Sequence, residues 1–155
     1  MVEILVDADA CPVKDEVYAV AARYGLRVIL VANSLLHTPE GLGVEMVVVG
    51  RELDAADDWI AENVRSSDVV ITADVPLAAR CIAAGAQVLG TTGEPFRQDS
   101  IGDALASRNL ATELRGAGIE TGGPPGVSAH DRSRFSSRLD AMVQRTMRPS
   151  GPGRP

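Results

Sequence analysis

Apolar and polar positions alternate in two rhythms along this chain. Residues 2–6 form a short, nearly unbroken apolar run, as expected of a strand covered on both faces. Val13, Val17, Val20 and Tyr24 then recur at helical spacing, with Pro12 suited to a first turn and Gly25 to a stop. A second buried strand is expected over 28–32, ending at Asn33. A loop with Pro39, Gly41 and Gly43 leads to a third strand over 44–49. The spacing predicts a helix over 53–64, a strand over 69–72, a helix over 75–84 closed by Gly85, and a strand over 87–89. Beyond these lie a loop over 93–100, a helix over 101–114, a Gly- and Pro-rich connection over 116–130 and a last helix over 132–148.

Strands alternating with helices imply a parallel sheet with helices on both faces. In such a sheet, ligands gather beyond the carboxyl ends of the strands. Asp7 and Asp9 follow the first strand there, Asn33 the second, and Thr72-Ala73-Asp74 the fourth. The helix over 53–64 adds another acid. With Leu53 at zero and about 100° per residue, Ile60 falls near 340° and Val64 near 20°. Asp57, near 40°, lies within that apolar stripe, whereas Asp54 near 100° and Asp58 near 140° face water. Asp54 is the natural cap of this helix, and Asp74 is a competent cap for the next. An inward acid in a first turn gains from the helix dipole but is costly to bury unpaired. Magnesium or manganese shared among Asp7, Asp57 and Asp74, with Asp9 as a fourth ligand and Asp54 and Asp58 in reserve, would relieve that cost. Each acid read singly also has an ordinary structural role as a strand end or cap.

Composition narrows the class. At 155 residues the chain suits one domain over 1–148, with a disordered tail over 149–155. Aromatic content is 3%, so the core must be mostly aliphatic. No stretch approaches the roughly 20 apolar residues of a membrane span, and Met1 leads straight into strand-like sequence without a basic leader. Cys11 and Cys81 make neither a disulfide framework nor a zinc pattern, and the expected compartment is a reducing cytoplasm. Neither His37 nor His130 pairs with Cys11, so packing is expected of that thiol. Cys81 and Trp59 read as packing residues as well.

Net charge is −6, which argues against a generic nucleic-acid coat. From Asp131 onward, however, six Arg oppose two Asp, leaving −10 on the remainder. That segment is either an ordinary amphipathic helix or an arginine-bearing arm beside an acidic pocket. Candidate phosphate contacts are Lys14, Asn33, Arg80, Arg132, Ser133 and Arg134, with Asp131 or Ser133 capping the last helix.

The stretches VDADACPVKDE, DAADDWIAE, ITADVPLAARC, IGDALASRNL and DRSRF together resemble the YaiI/YqxD-like bacterial family, over residues 2 to 147. That resemblance implies a PIN-like fold, a three-layer α/β/α arrangement with a mainly parallel central sheet. Asp57-Asp58-Trp59-Ile60-Ala61 is similar to the D-x-x-I-A helix start of PIN nucleases, and Thr72-Ala73-Asp74 to their T-x-D strand end. PIN domains are typically metal-dependent ribonucleases, so the resemblance implies Asp7, Asp57 and Asp74 as catalytic acids and metal ligands. The implied substrate is RNA or single-stranded nucleic acid. The chain departs from the PIN pattern at Val75-Pro76-Leu77, and DADACP and DRSRF are not ordinary PIN features. Two alternatives stand beside the nuclease: a non-catalytic nucleotide- or RNA-binding module, and a phosphatase of haloacid dehalogenase type using the strand-Asp7-Ala8-Asp9 start. The latter lacks the usual Thr or Val two residues after Asp9 and a convincing downstream lysine motif.

Overall fold

The computed structural model describes residues 2–38, 43–52, 54–96 and 128–147. In chain order these form β1 (Glu3–Asp7), a 3-10 turn (Ala8–Ala10), α1 (Lys14–Tyr24), β2 (Arg27–Ala32), β3 (Val44–Val48) and α2 (Ala55–Asn63). β4 (Val69–Ile71), α3 (Val75–Ala83), β5 (Gln87–Leu89), β6 (Pro95–Phe96) and α4 (Ala129–Met147) follow. The sheet order is β3-β2-β1-β4-β5-β6; all neighbours are parallel except β5 and β6.

Side-chain alternation explains why the central strands read as continuous apolar runs. Ile4 and Val6 of β1, Val28 and Leu30 of β2, and Val69 and Ile71 of β4 face one way, into a core shared with Val17 and Val20 of α1 and Phe135, Leu139 and Val143 of α4. Leu5, Ile29, Val31, Val70 and Val88 face the other way, against Ile60 of α2 and Leu77 and Cys81 of α3. The result is the expected three-layer α/β/α arrangement, with α1 and α4 on one face and α2 and α3 on the other. Trp59 packs half-buried against the second core. Both cysteines are buried, with burial the leading cause that raises each thiol, Cys81 to about 11. No described helix is long and apolar enough to cross a membrane.

Gly25 ends α1 at φ 67, a left-handed conformation that glycine takes without strain, and its N–H bonds back into the last turn. Three expectations shift. Pro12 precedes the first helix rather than opening it, because the chain first makes the 3-10 turn at Ala8–Ala10. The expected loop over 93–100 contains β6, a two-residue strand that turns back at Gly93 (φ 91) and pairs Val88 with Phe96 and Leu89 with Pro95. The last helix starts at Ala129, earlier than Arg132, and neither Asp131 nor Ser133 occupies its cap. Ser128 Oγ instead accepts from the Asp131 N–H at 3.0 Å, while Asp131 Oδ2 accepts from the Ser128 N–H at 3.4 Å, a reciprocal cap. Leu53, the loop residues Pro39 and Gly41, the helix over 101–114, most of the connection over 116–130 and the tail over 149–155 lie outside the described residues.

Candidate functional site: acids at the carboxyl edge

Asp7 is the last residue of β1 and shares the side-chain face of Leu5, so it points toward the α2/α3 layer. Asp57 comes from the first turn of α2, and Asp74 is the N-cap of α3. The structure thus brings to one edge three acids that are about 50 and 17 residues apart in the chain. As the helical wheel predicted, Asp57 is half-buried while Asp54 and Asp58 are exposed. Asp54 stands at the N-cap position of α2 without a side-chain cap bond.

Two of the three carboxylates are held. Asp74 Oδ1 accepts from the Leu77 N–H at 2.9 Å, the cap bond expected of it. Asp7 Oδ2 accepts from Thr72 Oγ1 at 3.0 Å, and the same Thr72 oxygen accepts from the Asp74 N–H at 3.0 Å. Thr72, buried just past β4, therefore links Asp7 to the backbone at Asp74. Sequence alone marks Thr72 as part of a strand end and assigns it no role. Its signal is a hydroxyl two residues before an acid, where an apolar strand reaches the ligand edge.

This edge crowds negative charge. Burial raises Asp7 above the ordinary carboxylate range, and Asp74 and Asp9 add to the shift against the Thr72 hydrogen bond. Burial, then Asp74, Asp7 and Asp54, lift Asp57 from 3.8 to about 6, with Arg80 the weakest influence and opposed. Arg80 is committed elsewhere, to Asp58 at 2.9 Å. Asp7, Asp57 and Asp74 have no ion-pair partner among the described residues.

The other candidates stand in structural roles. Asp9 is exposed, and its Oδ2 accepts from the Asn33 N–H at 2.9 Å, while Asn33 Nδ2 donates to the Gly50 carbonyl at 2.8 Å. Together they lace the ends of the first three strands. Lys14 Nζ donates to the Cys11 carbonyl at 2.9 Å. Arg132 ties α4 to the start of α1, donating to the Pro12 carbonyl at 2.9 Å and Glu16 at 3.2 Å. Arg134 pairs with Asp131 at 2.7 Å and reaches Glu94 at 3.8 Å. Ser133 is exposed.

Among the described residues no three His, Cys, Asp or Glu side chains form a ready-made metal cage. The side-chain donors that Asp7, Asp57 and Asp74 bring to this edge are carboxylate oxygens, the donor type a hard divalent cation takes.

The class so defined is a three-layer α/β protein with a group of acids at the carboxyl edge of a mainly parallel sheet. The chain belongs to the YaiI/YqxD family of bacterial proteins, whose family model, described as uncharacterised, matches residues 5–145. It is 54% identical over 154 residues to a UPF0178 protein of Rhodopseudomonas palustris strain HaA2, covering 98% of this chain and 94% of that one. It is 50% identical over 147 residues to a UPF0178 protein of Nitrobacter winogradskyi, covering 95% and 94%. A UPF0178 protein of Bradyrhizobium sp. strain ORS 278 matches at 50% over 147 residues, covering 95% and 90%. No solved structure shows a significant match to the chain.

Proposed function

We propose that this group of acids holds magnesium or manganese and hydrolyses phosphodiester bonds of RNA or single-stranded nucleic acid. The observation that carries this reading is the placement of Asp7 at the end of β1, Asp57 in the first turn of α2 and Asp74 at the N-cap of α3, none with an ion-pair partner among the described residues. Carboxylates in that state resist ionising together, and a bound dication reverses the penalty. The resemblance of the Asp57 helix start and the Thr72-Ala73-Asp74 strand end to PIN nucleases points the same way.

Asp7 and Asp74 would be the fixed ligands, because Thr72 and Leu77 each hold one oxygen of a carboxylate and leave the other available. A divalent cation bound there supplies Lewis-acid stabilisation of charge on the phosphoryl and leaving oxygens. Asp57, half-buried and lifted to about 6, is the group suited to accept a proton from the attacking water. Lys14, Arg132 and Arg134 would have to leave the Cys11 carbonyl, Glu16 and Asp131 that hold them to contact a phosphate. The test is incubation of purified protein and manganese with labelled RNA. Cleavage is expected, and is expected to disappear with EDTA and with Asp74→Asn. Manganese binding without cleavage of RNA or single-stranded DNA would overturn the hydrolytic reading and leave a binding module.

A further inference from the structure

Arg134, Arg138 and Arg145 lie within about 40° of one another on the surface of α4, at about 100° per residue. The stripe is about 16 Å long at about 1.5 Å per residue. Its upper end meets the turn at Gly90–Gly93, which also lies against the Thr72 backbone. A Cβ on Gly90 would lie 3.9 Å from the Thr72 carbonyl oxygen, and one on Gly93 would lie 3.1 Å from Arg134 Cγ and 3.2 Å from the Phe135 backbone. Arg138 donates to the Gly93 carbonyl at 3.1 Å, which fixes its guanidinium beside this turn. Below the turn, Leu89, Pro95, Ala141 and Met142 floor a groove of about 320 Å³ walled by Arg138 and Arg145. Arg134 is engaged by acids, but neither Arg138 nor Arg145 has an acidic partner among the described residues. In a chain of net charge −6, two guanidinium groups with no acidic partner among the described residues, over an apolar floor, form a site for an anion with an apolar part.

We infer that this groove binds single-stranded nucleic acid at nucleotides beyond the one at the acids, with phosphates on Arg138 and Arg145 and a base against the Leu89–Pro95–Met142 floor. The identity of the occupant rests on the nuclease reading above; the groove itself does not. The guanidinium forks match phosphate oxygens, and an apolar floor accepts any base face, so binding is sequence-tolerant. A strand laid there runs to the Gly90–Gly93 turn, where Gly90 lies against the Thr72 backbone.

The test is fluorescence anisotropy of a fluorescein-labelled twelve-nucleotide uridine RNA in EDTA, where no cleavage occurs. Wild type is expected to bind. Arg145→Glu is expected to weaken binding about tenfold and to lower the salt slope by about 0.7 for each phosphate no longer neutralised. Arg138→Ala is the second variant, with a smaller effect, and melting curves check that both remain folded. Asp74→Asn is expected to bind at least as tightly as wild type. Unchanged affinity in both arginine variants, or no binding by wild type, overturns the groove. The two readings separate cleanly. If Arg145→Glu fails to hold RNA that wild type binds but never cuts with manganese, the groove stands and the nuclease falls. If wild type cuts and Arg145→Glu changes neither affinity nor KM for this RNA, the groove falls and the nuclease stands.

Discussion

The two faces of the sheet handle charge in opposite ways. On the α1/α4 face three acids are answered by the chain itself. Asp140 is held by the Arg23 guanidinium and by Tyr24 Oη at 2.6 Å, Glu16 by Arg132, and Asp131 by Arg134. On the α2/α3 face Arg80 turns outward to Asp58, and Asp7, Asp57 and Asp74 stay crowded against one another. Exposed ion pairs contribute only about 0–1 kcal/mol each, so the first face gains little from its neatness. The second face carries an electrostatic penalty, which the divalent cation of the proposed function would relieve.

If that contrast is right, the largest effect comes from the crowded face. Asp7→Asn should lower manganese-dependent cleavage by more than about a hundredfold while the fold is retained, checked by initial rates and circular dichroism. Next comes the paired face, where Asp140→Ala removes partners from Arg23 and Tyr24. It should lower stability by about 1–2 kcal/mol in urea melts and leave cleavage unchanged. A comparable drop in cleavage in both variants would erase the distinction between the faces. Thr72→Val is a finer probe. It frees Asp7 from its donor and should weaken manganese binding about tenfold in titration calorimetry, with Thr72→Ser restoring it.

How much of this was legible in the sequence depends on the kind of signal. The strands with buried faces, such as β2, announced themselves by unbroken apolar runs, and Asp57 was separated from Asp54 and Asp58 by helical periodicity alone. β6 was not legible, because two residues including a proline carry no periodicity and pair only when the Gly93 turn folds them back. The cap of α4 was missed because Ser128 sits in a Gly- and Pro-rich stretch that reads as connection. The contacts of Arg132 and Arg134 were hidden for another reason. Their partners Pro12, Glu16 and Glu94 are distant in sequence, and an arginine side chain carries no mark of which acid or carbonyl it will find. Thr72 was visible as a letter, but its double hydrogen bond depends on the register of β1 and β4.

The smallest predicted effect bears most directly on the penalty itself. In the folded chain, burial and the neighbouring Asp74 and Asp7 raise Asp57 from 3.8 to about 6. Between those values the native state holds more protons than the unfolded chain, so stability falls as pH rises and the full loss is reached above about pH 6. Below 3.8 both states are protonated and the difference disappears. Asp57→Asn removes the charge and keeps the shape. It should therefore melt higher than wild type near about pH 8, by about 1 kcal/mol after discounting the half-exposed side chain for screening, and equally at the acid end. Saturating manganese should narrow or reverse the gap at about pH 8, because a dication held by Asp7 and Asp74 turns the nearby Asp57 charge from a penalty into an attraction. If Asp57→Asn is no more stable than wild type at high pH, the acids are not straining against one another. The α2/α3 face would then be as well compensated as its opposite.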